Sequence, residues 1–318
     1  MKTNILYINS FIGILSSSSL PILFFLSIAS ICNVHAVTYV FNFAAVGDWG
    51  CNSNTYATVK GIDNTKTTNK LGAAELVLGL GDYSYQPTAN CWLNKVASID
   101  DNMKITIGNH ENSAKTGFNQ YKKSFGLTSN AYYSFDFQNV HFIIMNTQTP
   151  YTDGSSQYNF IKDDLSKVAK NDNINWIIVV MHEPFYTSST SCKIKSCQGI
   201  DNLRDTYHPL FDTYKVDLVL GAHLHDYQRS FPLEYNSASS SKPIMTSKIP
   251  SKYNDPKGEI YVIVGTGGIN FHKIIGKKLI HSKATKFFFW SLTNKGQVLT
   301  AKFIQNNGKV FDSFSITK

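Results

Sequence analysis

Five short stretches of this 318-residue chain carry residue types that bind metals or move protons. They are "GDWG" with Asp48, "GDYSY" with Asp82 and Tyr85, "GNHEN" with Asn109 and His110, "HEPF" with His182, and "GAHLHDYQR" with His223 and His225. A turn needs neither the aspartate of "GDYSY" nor the tyrosine three residues on. Carboxylates, an amide oxygen and imidazoles suit hard or borderline metals such as Fe, Zn and Mn. The set is too large for one ion. Two ions about 3.5–4 Å apart, sharing one carboxylate, would use it, and such a pair clamps an in-line displacement at phosphorus.

Each stretch follows an apolar run. "YVFNFAAV" (39–46), "LVLGL" (76–80), "MKITI" (103–107), "VHFIIM" (140–145), "WIIVVM" (176–181), "VDLVL" (216–220) and "IYVIV" (260–264) read as buried strands. "QYNFIKDDLSKVAK" and "NLRDTYHPLFDTY" between them have helical spacing, so the pattern is an α/β layered domain. In such a sheet ligands bind beyond the carboxyl ends of the strands, where these residues would meet in space. A lone histidine is more often structural; five strand ends in order form a site. Toward the C-terminus, "NKG" and "NNG" separate "KFFFWSLT", "QVLTAKFIQ" and "KVFDSFSI", which predicts an antiparallel meander. Residues 236–258 read as a long polar loop.

The ordered pattern, GD-x-G, GD-x-x-Y, GNH-E, V-x-x-H and H-x-H with the later "GTGG" (265–268), resembles the purple acid phosphatases of the calcineurin-like metallophosphoesterase superfamily, over residues 42 to 268. The resemblance implies an α/β/β/α sandwich, the metallophosphoesterase fold. Most relatives begin D-x-H; here Gly50 replaces that histidine, and Tyr85 is the ligand the purple subfamily uses instead. By resemblance, Asp48, Asp82, Tyr85 and His225 bind Fe(III), while Asp82, Asn109, His182 and His223 bind Fe(II), Zn or Mn. The implied reaction is hydrolysis of small phosphate monoesters by a metal-bound hydroxide, with His110 stabilising charge and helping to protonate the leaving group. A phosphodiesterase or nucleotide or pyrophosphate hydrolase at the same site is the alternative. A binding module without activity is the third reading, opposed by the presence of all seven ligands.

Three departures from the pattern stand out. Ala222 takes the first position of the usual G-H-x-H, which the ligands survive if its φ stays negative. Plant relatives place phosphate-holding histidines after V-x-x-H; "TSSTSCKIKSCQG" has none, leaving Lys193 and Lys195 as weak substitutes. His208 is expected either to face the substrate with Asn109 and His110 or to be a buried helix residue. Nothing before residue 37 matches the N-terminal β-sandwich of plant enzymes, so one catalytic domain is expected over 37–318. Glu111 is expected to orient His110 or cap a turn, His141 to be core, and Arg229 to pair with acids behind the site.

Residues 1–36 carry one charge, Lys2, and end with the small residues Val34 and Ala36. They read as a secretory signal peptide cleaved after Ala36, or else as a retained anchor. No later segment is long and apolar enough to span a bilayer. Beyond Cys32 lie Cys51, Cys91, Cys192 and Cys197, an even number that favours disulfides in an exported protein. Cys192 and Cys197 are close enough to staple one loop, and Cys51 and Cys91 stand where they could pair across the site edge; free thiols are the alternative, and the connectivity is not legible. The formal charge is +8, yet Arg204 and Arg229 are the only arginines, which argues against nucleic-acid binding. Natural substrate and oligomeric state are not legible.

Overall fold

A computed structural model describes residues 40–68, 74–113, 115–188, 200–272, 288–295 and 297–318. The proposed signal segment, Cys192, Cys197, Lys193 and Lys195 lie outside them, as does Gly296 of the first hairpin signal. In chain order the elements are β1 (Val40–Val46), α1 (Ser53–Thr68), β2 (Leu76–Gly79), α2 (Asn90–Val96), β3 (Met103–Ile105), α3 (Asn109–Ser113), α4 (Lys115–Phe125), β4 (Tyr133–Phe137), β5 (Val140–Ile144), α5 (Ser156–Val168), β6 (Trp176–Val180), α6 (Ile200–Tyr214), β7 (Leu218–Gly221), β8 (Tyr227–Glu234), β9 (Ile244–Met245), β10 (Lys252–Asn254), β11 (Glu259–Val264), β12 (Phe288–Lys295), β13 (Val298–Gln305) and β14 (Val310–Thr317).

The strands form two seven-stranded sheets, ordered β10-β14-β13-β12-β1-β2-β3 and β4-β5-β6-β7-β11-β8-β9. β1, β2 and β3 run parallel, as do β5, β6, β7 and β11. The first sheet gains the antiparallel run β12-β13-β14, the expected meander. Its second turn uses Gly308 at φ +82°, the residue "NNG" supplies for a left-handed step.

Inner faces meet through aromatic pairs that cross between the sheets. Phe43 packs edge-on to Phe142 with centroids 5.3 Å apart, and Phe41 lies 4.8 Å from Phe137. Tyr227 stacks on Phe303 at 3.6 Å. On β5 and β6 the alternate residues Ile143, Ile177 and Val179 turn outward, into a second cluster with Ile161 and Leu165 of α5 and Leu203, Tyr207 and Phe211 of α6. Both faces of those strands are buried, which is why they read as unbroken apolar runs. Helix α5 starts at Ser155, whose side chain accepts from Tyr158 N–H (3.1 Å).

A buried ion pair also joins the sheets. Arg229 on β8 donates from Nε to Asp312 on β14 (2.7 Å) and from Nη1 to the Tyr253 hydroxyl on β10 (2.9 Å). The expectation that Arg229 pairs with acids away from the substrate therefore holds. His141 is core, as expected, with its ring nitrogens on Asp136 and Asp164. β10 lies within the segment read as a loop, and β4 and β8 are further strands that the sequence reading passes over.

Cys51 and Cys91 form a disulfide across 40 residues, tying the loop after β1 to α2. Closing a loop of that length removes about 4 kcal/mol of unfolded-state entropy. Replacing both cysteines with serine is expected to lower the denaturant midpoint accordingly, and an unchanged midpoint would show that the bond does not stabilise the fold.

Candidate metal centre

All seven proposed ligands leave the carboxyl ends of strands. Asp48 follows β1, Asp82 and Tyr85 follow β2, and Asn109 follows β3, all in the first sheet. His182 follows β6, and His223 and His225 follow β7, in the second. The two edges are stitched together by Gly47 N–H donating to Val264 C=O (2.9 Å) and Thr106 Oγ1 donating to Met145 C=O. Two ligands are each followed by a buried aromatic anchor. Trp49 after Asp48 packs on Trp92, and Tyr83 after Asp82 packs on Trp92 and Tyr121.

Asp48, Asp82, Tyr85 and His223 adopt left-handed backbone conformations, with φ of 57°, 55°, 55° and 69°. Such conformations cost roughly 1–3 kcal/mol each and persist only where the surroundings over-determine them. One such constraint is Glu111. Its fully buried carboxylate accepts three main-chain N–H groups, from Asp82 (2.8 Å), Tyr83 (2.8 Å) and Gly108 (3.0 Å). Gly108 must be glycine, because a Cβ there would overlap Asp82 Oδ1. Ala222 keeps a negative φ, and its methyl occupies the space left by Gly47, where a Cβ would come within 2.5 Å of it.

The side chains converge as lone pairs. Tyr85 Oη sits 3.0 Å from Asp48 Oδ1, 3.3 Å from Asp82 Oδ2 and 3.0 Å from His225 Nε2. His225 Nδ1 faces the Asn270 carbonyl (2.9 Å), which fixes the proton on Nδ1 and leaves Nε2 an acceptor. Burial, and then the neighbouring His272, push this imidazole down to about 3, so it is neutral. One phenol proton thus faces three acceptors. Asp48 Oδ2 is buried and has no hydrogen-bond partner of ordinary geometry.

The second half is alike. His182 Nδ1 donates to Leu80 C=O (2.8 Å), and its Nε2 faces Asn109 Oδ1 (3.1 Å) and Asp82 Oδ2 (3.4 Å). His223 Nδ1 lies 3.0 Å from the same Asn109 oxygen. Ligand atoms of Asp82, His182 and His223 all lie within 4.8 Å of one another. Burial opposes charge on His182, but Asp82 outweighs it and raises the imidazole to about 10. Asp82 responds in reverse: burial would raise it, and His182 holds it below the carboxylate range. Tyr85 is pushed far above the phenol range by burial and then by Asp48 and Asp82. Each shift follows from burial and from the crowding of carboxylates, a phenol and imidazoles in one place. The donor set therefore fits two cations that share Asp82.

His110 lies at the rim, its side chain 45% exposed, its ring 4.1 Å from that of Tyr85 and its Nε2 3.9 Å from Asp82 Oδ2. His208 is not brought here. It is fully buried on α6, bonded to Tyr186 and Leu233, so a substrate cannot reach it, and its expected substrate role is withdrawn. At Gly50, φ is +75°, and a Cβ there would stand 3.5 Å from Asn52 Nδ2 and Ile269 Cδ1, in ordinary contact, so the left-handed backbone rather than crowding disfavours a side chain at the D-x-H position. Sequence reasoning missed His272. Its ring stacks on His225 at 3.9 Å, and its Nδ1 accepts from His225 N–H (3.1 Å). No spacing rule points to it.

The family model for calcineurin-like phosphoesterases matches residues 41–227, more than half of the chain, and the chain belongs to that family. Its curated relatives are purple acid phosphatases. Purple acid phosphatase 23 of Arabidopsis thaliana is 27% identical over 80% of this chain and 59% of its own length, and purple acid phosphatase 18 is 30% identical over 72% and 50%. The chain thus spans about half the length of these relatives. Among solved structures, purple acid phosphatase PPD1 from yellow lupin seeds superposes with a TM-score of 0.77 at 22% identity, over 88% of this chain and 54% of that one. GAP50, the anchor in the inner membrane complex of Plasmodium, superposes at 0.64 and 15% identity, over 87% and 89%. At these identities the likeness establishes the fold alone.

Glu111→Ala strips three buried N–H groups of their acceptor, and each unsatisfied donor costs about 1–3 kcal/mol. The variant is expected to lose thermal stability and to bind metal at least about 10-fold more weakly, as outer-shell losses do. Wild-type metal retention on dialysis and an unchanged Tm would contradict the role given to Glu111.

Proposed function

We propose that this chain is an exported acid phosphatase that hydrolyses small phosphate monoesters at a dinuclear metal centre. The carrying observation is the meeting of Tyr85 Oη, Asp48, Asp82 and His225 around one point, with Asp82, Asn109, His182 and His223 around the next. Asp48, Asp82, Tyr85 and His225 would hold Fe(III), for which an anionic phenolate oxygen is a suitable hard donor. Asp82, Asn109, His182 and His223 would hold Fe(II), Zn or Mn. When bound, such ions act as Lewis acids and bring the pKa of water toward neutrality.

The remaining work falls to the chain. Leu80 and Asn270 carbonyls fix the tautomers of His182 and His225, so that each presents Nε2 to the centre. Asn109 offers one oxygen to both His182 and His223, which sets their separation. His110, exposed at the rim, is placed to touch a phosphate oxygen and to hold or deliver a proton at the leaving oxygen. Export is supported by the N-terminal pattern and by the Cys51–Cys91 bond, which is favoured in an oxidising compartment.

Turnover of an aryl phosphate monoester and of the matching diester tests the reading. The monoester is expected to be preferred. Asn109→Ala and His182→Ala are each expected to lower its rate by more than about 100-fold, beyond the 10–100-fold cost of an outer-shell loss. Preference for the diester would replace this reading with a phosphodiesterase, and near-wild-type rates in either variant would refute the site.

A further inference from the structure

His208, excluded from the dinuclear centre, belongs to a different cluster. On α6 it stands one turn before Asp212, and Glu259 opens β11 opposite. Ligand atoms of His208, Asp212 and Glu259 all lie within 4.8 Å of one another. His208 Nε2 is 3.2 Å from Glu259 Oε2, 3.6 Å from Asp212 Oδ1 and 3.2 Å from the Leu233 carbonyl. Ligands on a tetrahedron with ~2.1 Å bonds stand about 3.4 Å apart, close to these three separations.

We propose that His208, Asp212 and Glu259, with the Leu233 carbonyl as fourth donor, bind one divalent cation of the zinc or manganese kind. This site shares no residue with the dinuclear centre; only the ion count below rests on the reading that the other centre holds two. Glu259 is fully buried, and its Oε1 has no hydrogen-bond partner; neither has Asp212 Oδ1. Two ionised carboxylates at this spacing need positive charge, and the Tyr261 hydroxyl, 3.3 Å from Glu259 Oε2, brings a hydrogen bond but no charge. No lysine or arginine pairs with either among the described residues, and Arg204 is committed to Asp201, Asp205 and Ser240. Lys215 and Lys257 line an adjoining cavity of about 560 Å³, to which Asp212 and Glu259 also contribute, and which gives an ion a way in. Outer support is in place: Tyr186 Oη lies 2.7 Å from His208 Nδ1, and Tyr235 N–H donates to Asp212 Oδ2 (2.8 Å). A carboxylate, an imidazole and a carbonyl suit a borderline divalent ion. The ion would clamp α6 to β8 and β11, on the face of the sheet away from the sandwich interior.

Metal counting on the purified protein, loaded with Zn²⁺ or Mn²⁺ and dialysed, tests this. The wild type is expected to hold three ions per chain, and Glu259→Gln and Asp212→Asn two. Both variants are expected to keep phosphatase turnover within about 2-fold. Each should lose the Tm rise, about 5 °C at 100 times Kd, that Zn²⁺ gives the wild type once its dinuclear centre is full. Two ions in the wild type, or three in either folded variant, would overturn the proposal. Since the wild-type count needs no variant, the test stands even where a substitution prevents folding.

Discussion

The centre is organised by a surplus of acceptors. Around Tyr85 Oη, one proton faces a carboxylate from Asp48, another from Asp82 and the lone pair of a neutral His225. Around Asn109 Oδ1, two imidazoles converge on one amide oxygen. Protons balance this only by forcing His182 up to about 10 and Tyr85 far above its usual range. Protein interiors rarely leave carboxylates and imidazoles so placed without a counter-charge. Cations would resolve both halves together, and Asp82 is the proposed ligand that both halves share.

Holding those groups against one another is costly, and the fold meets the cost in the layer beneath. Four of the proposed ligands sit at positive φ, and main-chain bonds from Asp48 N–H to Gly81, Trp49 N–H to Asp82 and Ala222 N–H to His182 tie the strand ends beside three of them. Trp49 and Tyr83 plug the loops into the aromatic cluster around Trp92. Glu111 draws Asp82, Tyr83 and Gly108 onto one carboxylate. Two facing sheets are needed because β1, β2 and β3 supply the acids, the tyrosine and the amide, whereas β6 and β7 supply the histidines. Arg229–Asp312 and the cross-sheet aromatic pairs keep those edges in register.

Much of this was legible because apolar runs mark strand ends well. The seven principal strands follow from that rule, and the seven proposed ligands are the polar side chains that follow five of them. What stayed hidden rests on other physics. β8 contains Gln228, Arg229 and Pro232, and reads as polar text until Asp312, 83 residues away, neutralises the arginine. β10 is three residues long and pairs with β14, beyond any local signal. The tautomers of His182 and His225 are set by main-chain carbonyls of Leu80 and Asn270, where residue type carries no information. His208, expected either at the substrate or as a buried helix residue, is the latter, facing Glu259 and Tyr186 in space.

The central claim is that Tyr85 is a metal ligand rather than a packed aromatic. A visible absorption spectrum of the iron-replete protein beside its Tyr85→Phe variant tests that claim most directly. A purple charge-transfer band in the first and its loss in the second is the predicted result. A folded, iron-loaded wild type without the band would contradict the account, leaving a centre in which Tyr85 does not bind.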